Sequence, residues 1–246
     1  MITGSPGEVR DADAGALENT ASKSLGNFQV QPSFVVVERK EEGNIVPSFW
    51  HKQLSYENGK YAVRLGHRYL SVHFIKKGAD KYDTYDKSLA PQIGTWLDAY
   101  ANTVSGREEP VLVERAGFGY VNAFRFPVAD FDLSRYFKVS FGTGAESTAN
   151  GVATLDIKFR LNYAEDTSVE VNIGVAPESP EPGHISVVTK VEADKPIDNE
   201  CSFEEKDKIL DYVRKAKEAA KSVFFDLATD ETHKIMGAKY DSSPTQ

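Results

Sequence analysis

The chain is nearly free of cysteine. A single thiol, Cys201, among 246 residues excludes an intramolecular disulfide and any zinc site built from several cysteines. There is no run of about 18 apolar residues, so no segment is expected to cross a membrane as a helix. The first residues, Met1-Ile2-Thr3-Gly4-Ser5-Pro6, lack the basic and apolar regions of a signal peptide, and no Asn-x-Ser/Thr acceptor occurs. A reducing, cytoplasmic setting is the expectation. Positive charge is also short. Lys and Arg number 29 against 37 Asp and Glu, a net charge of -8, which argues against a protein built to neutralise phosphates.

Chemical signatures are equally scarce. His51, His67, His73, His184 and His233 are scattered, without His-x-x-x-His or Glu-x-x-His ligand spacing. No Gly-x-Ser-x-Gly elbow is present. Gly142-x-Gly144 is followed by no Lys-Ser/Thr, so it does not read as a phosphate loop. The carboxylates of 80–86 and 130–132 sit near loops, where capping and solvation account for them. Cys201 reads as a half-buried or incidental thiol. No metal, no cofactor and no catalytic residue is expected.

What is present is a clear alternation of strands and helices. Composition is that of a globular protein, 40% hydrophobic and 27% charged. Residues 1–27 are poor in large apolar side chains and read as a flexible tail. A β-branched run at Phe34–Glu38 predicts a strand. Ser48–Tyr56, Tyr61–Leu65 and Tyr69–Ile75 form a meander, and Asn58-Gly59 supplies a hairpin turn between the first two. Leu89, Ile93, Trp96, Leu97, Tyr100 and Val104 recur at helical spacing, with Pro91 in the first turn and Gly106 past the end.

A second set follows the same grammar. Residues 152–163 alternate Ala153, Leu155, Ile157, Phe159, Leu161 and Tyr163 with polar neighbours, which predicts a half-buried antiparallel strand. Val169–Val175 and Ile185–Val191 alternate likewise. A helix over about 203–225, opened by the Ser202-Phe203-Glu204-Glu205 capping box, is expected to cover the sheet. A short helix over 226–237 and a tail over 238–246 complete the chain. The predicted architecture is α+β: a largely antiparallel sheet in one domain over 28–237, with long helices on one face. Two three-strand-plus-helix halves, 28–127 and 150–237, share that grammar.

Between the halves lies the densest chemistry, Pro110–Pro127. On a strand Val111, Val113, Arg115, Gly117, Gly119, Val121, Ala123 and Arg125 share one face. Its bare middle suits a closely packed helix. Leu112, Glu114, Phe118, Tyr120, Asn122, Phe124 and Phe126 share the other. Arg115, Tyr120, Asn122 and Arg125 are the candidate binding residues, because Tyr and Asn within a strand need partners when buried.

Three stretches carry a family likeness: Leu54–Phe74 with its hairpin, Gly-Phe-Gly-Tyr-Val-Asn-Ala-Phe at 117–124, and Phe-Asp-Leu-Ala-Thr-Asp-Glu-Thr-His-Lys-Ile-Met-Gly at 225–237. They resemble a sporadically distributed family of uncharacterised bacterial proteins. That family has a mid-chain Arg-Tyr-Ile-Asn-Arg-Ile-like strand and a C-terminal Thr-Asp-Glu-like segment. Tyr120 and Asn122 match its strand, whereas Gly119 and Ala123 stand where the family has arginine. The resemblance implies no known activity. It does imply the company of mobile or defence-related gene clusters, hence a partner or regulator in a toxin–antitoxin or defence module. The function expected is non-catalytic binding of a protein partner. The alternative is an enzyme or carrier holding a small molecule between the sheet and the C-terminal helix, and a nucleic-acid binder using local arginines is the third reading.

Overall fold

The computed structural model describes residues 2–5, 11–39, 45–57, 59–66, 69–75, 83–105, 112–128, 131–139, 154–164, 166–177, 183–197 and 201–236. The chain divides into two compact units, Met1–Gly117 with Lys195–Arg214, and Phe118–Asp194 with Lys215–Gln246. Both combine helices with antiparallel strands, the α+β class that the alternating patterns predict.

The first unit begins with β1 (Ile2–Ser5), α1 (Asp11–Leu25), β2 (Gln29–Arg39), β3 (Ile45–Tyr56), β4 (Tyr61–Gly66) and β5 (Tyr69–Phe74). A π-helical turn (Tyr85–Leu89), α2 (Ala90–Val104) and the start of β6 (Leu112–Pro127) follow. Its strands are ordered β2-β3-β4-β5-β1-β6, each antiparallel to its neighbour. The β3–β4 hairpin closes at Tyr56↔Tyr61, with Glu57 and Gly59 in left-handed backbone. Tyr61 and Tyr56 stack on each other, and their hydroxyls donate to Ser88 O at 3.1 Å and to Gln92 Oε1 at 3.0 Å. Each ring so joins apolar area to a satisfied polar tip, fixing the meander against the π-helical turn and α2. Burial pushes the Tyr56 hydroxyl well above its usual range. Trp96 and Leu97 of α2 are sealed in this core. Pro91 falls in the first turn as predicted, whereas Gly106 lies outside the described residues.

The expectation of a flexible tail over 1–27 is overturned. Leu17, Ala21 and Leu25 stand at i, i+4 and i+8 of α1, and the first two are fully buried. The helix packs on α2 and ends at Gly26, whose φ is 81° and whose N–H reaches Ser22 O at 3.0 Å. Average composition hides a stripe this narrow. Ahead of α1, β1 bridges two strands, with Ile2 opposite both Leu70 and Ala116.

The second unit holds the rest of β6, α3 (Leu133–Tyr136), β7 (Leu155–Ala164), β8 (Thr167–Pro177), most of β9 (His184–Pro196), the C-terminal part of α4 (Lys206–Leu227) and α5 (Asp230–Ile235). Its strands run in the order β6-β9-β8-β7. The alternation of β8 and β9 is followed residue by residue: Val169, Val171, Ile173, Val175, Ile185, Val187, Val191 and Ala193 are buried, and their neighbours face water. Ala216, Ala219, Ala220, Val223 and Phe224 form the buried stripe of α4, whose small residues permit a close approach.

The capping box is half formed: Ser202 N–H donates to Glu205 Oε2 at 3.0 Å, and α4 starts one residue later. In the first unit α4 is held by Lys206, which donates to both Asp98 oxygens at 2.9 Å, and by Arg214, which donates to Asp86 at 3.0 Å. Thr229 precedes α5 but its hydroxyl makes no cap bond. It donates instead to Arg135 O at 2.7 Å and Tyr136 O at 3.1 Å, tying α5 to α3.

Candidate functional site

Strand β6 does not keep the face assignment that simple alternation predicts. β1 pairs Thr3 with Arg115 but Gly4 with Val113, so Glu114 is the extra residue of a β-bulge. One inserted residue exchanges the two faces, because side chains alternate with a period of two. Val113 is therefore buried ahead of the bulge, and Ala116 and Phe118 after it. From Gly119 onward the odd-numbered residues are exposed, Val121 at 66%.

The bare Gly119–Ala123 face thus meets solvent, and the expectation that a helix packs across it is wrong. Gly119 has a different neighbour. A Cβ there would stand 3.0 Å from Glu192 Cγ on β9.

The aromatic face turns inward. Phe124 meets Phe137 edge-on at 5.8 Å, and Phe126 lies 4.0 Å from the Tyr136 ring and 5.6 Å from that of Phe131. Phe137 is fully buried, so this end of the face is filled by the protein's own side chains. Tyr120 and Asn122 sit farther back on the same face and are half-buried, with Tyr120 edge-on to Phe118 at 5.0 Å. Arg125 points to the opposite, exposed face. Arg115 is exposed and belongs to the first unit. Tyr120 and Asn122 share the inward face of β6, and Arg125 lies on its other face.

A different feature stands out at the sheet margin. β7 ends the strand order of the second unit and, among the described residues, pairs with β8 alone. Its apolar row was expected inside. Leu155 is 37% exposed, Leu161 42% and Tyr163 46%, with Ile157 and Phe159 half-buried between them. Alternation predicts which residues share a face but not how far a covering layer extends, and β7 lies at the rim. On its other face Lys158 and Arg160 both reach Glu170 of β8, at 2.9 and 3.6 Å. The Lys158 bond holds the Glu170 carboxyl below its usual range, with Arg160 and Lys190 adding to the effect. Charged side chains on an edge are the one sequence signal of such a strand.

Elsewhere, polar groups serve the fold. Asp132 Oδ1 caps α3 by accepting from Ser134 N–H at 2.9 Å. His73 Nε2 lies 2.9 Å from Ser71 Oγ. Cys201 is fully buried, and burial raises its thiol above the usual range, with Glu205 adding to it. Among the described residues no group of three His, Cys, Asp or Glu is placed to hold a metal ion, and no helix is long and apolar enough to cross a membrane. Gly142-x-Gly144 lies outside the described residues. Comparison with family models, curated proteins and solved structures finds no match for the chain.

Proposed function

We propose that the protein is a non-catalytic interaction protein that binds another polypeptide along the β7 edge of its second unit. The observation that carries this reading is the exposed row Leu155, Leu161 and Tyr163 on a ten-residue edge strand. A contiguous exposed apolar patch marks a binding surface, and an open edge adds a line of backbone donors and acceptors for an extended segment to pair with. The filled aromatic cluster at Phe124–Phe137 and the sealed rows of β8 and β9 support a packed core over the alternative of a ligand chamber. Tyr120 and Asn122 retain a supporting role as half-exposed polar groups on the inward face of β6.

The test compares the wild-type chain with Leu161→Lys and Tyr163→Lys as baits against cell extract. A bound polypeptide that both variants lose while their circular dichroism is unchanged is the expected outcome. Identical retention by all three baits would sink the reading.

A further inference from the structure

We infer that the polypeptide seated on the β7 edge is a second copy of this chain, paired strand to strand about a two-fold axis. The inference rests on the reading of β7 as a protein interface and names its occupant. A two-fold interface must be self-complementary, since each patch meets its own copy. β7 satisfies this in both its charge order and its apolar order. Its polar face reads Asp156, Lys158, Arg160 and its apolar face Leu155, Ile157, Phe159, Leu161.

An antiparallel pair centred on Lys158 sets Asp156 of each copy opposite Arg160 of the other, twice over. The same register sets Leu155 opposite Leu161 and Ile157 opposite Phe159, so the two exposed leucines cover each other. Opposite charges and apolar residues directly across a ladder are the favourable cross-strand pairs. The central Lys158 residues face one another, but each carries the Glu170 carboxylate of its own copy at 2.9 Å. Moving the axis one residue, to Phe159, opposes Lys158 and Arg160 twice and turns attraction into repulsion. Charge therefore disfavours the Phe159 axis, and the apolar row disfavours the Ile157 axis, which would set Asp156 opposite Lys158 but no longer set the two exposed leucines opposite each other. Seven paired residues extend roughly 20–24 Å along the strand, a small contact by the standard of permanent dimers. The dimer is accordingly concentration-dependent and reversible.

Sedimentation velocity of the full chain over a dilution series tests this, with circular dichroism to confirm folding. The wild type is expected to pass from monomer to dimer as concentration rises. Asp156→Arg alone and Arg160→Asp alone should each stay monomeric across the same series, and the double variant Asp156→Arg/Arg160→Asp should dimerise again. That recovery separates pairing from a mere folding defect. A wild type that stays monomeric to its solubility limit overturns the inference. So does a dimer that survives either single substitution, or one that the double variant fails to restore. A monomeric wild type whose extract partner is lost on Leu161→Lys would overturn self-pairing while leaving β7 an interface. A monomer indifferent to that substitution removes both.

Discussion

Replacing Gly119 by alanine separates two opposing effects that the structure places at one atom. Gly119 has no left-handed φ, so β6 does not need glycine for its backbone there. Within a strand, alanine is favoured over glycine by roughly 0.5–1 kcal/mol, chiefly because it restricts the unfolded chain. Against this gain stands the added Cβ, 3.0 Å from Glu192 Cγ and 3.5 Å from Val191 O. The backbone oxygen is at ordinary contact distance, so only Glu192 must yield, by a few tenths of an ångström.

Glu192 is tethered to Lys190 at 2.8 Å, a surface pair worth about 0–1 kcal/mol. Gly119→Ala should therefore change stability by between about −0.5 and +1 kcal/mol, positive being stabilising. Gly174 on β8 is the matched control, since its added Cβ would meet nothing nearer than Val188 O at 3.9 Å. Gly174→Ala should show the full gain of roughly 0.5–1 kcal/mol. In a Glu192→Ala background the two alanine substitutions should converge.

Urea unfolding followed by circular dichroism, with midpoints compared at constant slope, supplies the measurement. A loss above about 1 kcal/mol for Gly119→Ala in both backgrounds would refute the assignment of Glu192 as the neighbour that gives way.

Three further outcomes are expected. Asn122→Ala should cost less than about 1 kcal/mol, because a half-buried amide keeps access to water; a loss of 2–3 kcal/mol in the same assay would show a fully desolvated hydrogen bond instead. Glu170 has a folded-state pKa below its ordinary 4.5, so its stabilisation is complete above that value and is lost as pH falls through the lower folded one. Because the pair is exposed the effect is under about 1 kcal/mol and fades in salt, and Glu170→Gln should flatten the acid limb of stability against pH. Cys201 should resist iodoacetamide at neutral pH in the folded chain and react fully in denaturant, since burial hides the sulfur and disfavours its thiolate; mass spectrometry showing rapid native labelling would contradict the burial of Cys201.

Most elements were legible because their periodicity is strong and their punctuation clear. The β3–β5 meander with its Asn-Gly hairpin, α2 with its aromatic stripe, and the alternating β8 and β9 follow from residue pattern alone. Three features were not legible, each for a different physical reason. α1 buries only a thin seam, and Leu17 and Ala21 reveal themselves only against α2. The bulge at Glu114 carries no glycine or other local marker; it is set by the register with β1, a pairing distant in sequence. That unseen residue turned the Gly119–Arg125 face outward and the Tyr120–Asn122 face inward relative to Val113, while Arg125 stays opposite Tyr120 and Asn122 as alternation alone predicts. The exposure of Leu155, Leu161 and Tyr163 depends on where β7 stands in its sheet, and an edge strand alternates as an inner one does.

The division of the chain also bears on the order in which the protein can be made. Neither unit is a continuous stretch: the first needs Lys195–Arg214, and the second needs residues from Lys215 onward. A ribosome synthesises from the N-terminus, and domains ordinarily fold as their sequence emerges. Here the first unit lacks the strand end and helical turns that complete it until Arg214 has left the exit tunnel. Phe118–Asp194 must wait longer still, without the C-terminal turns of α4. Nascent chains arrested before that point should remain protease-sensitive in both units, so the two reach their finished folds almost together, only once the C-terminal turns of α4 have emerged.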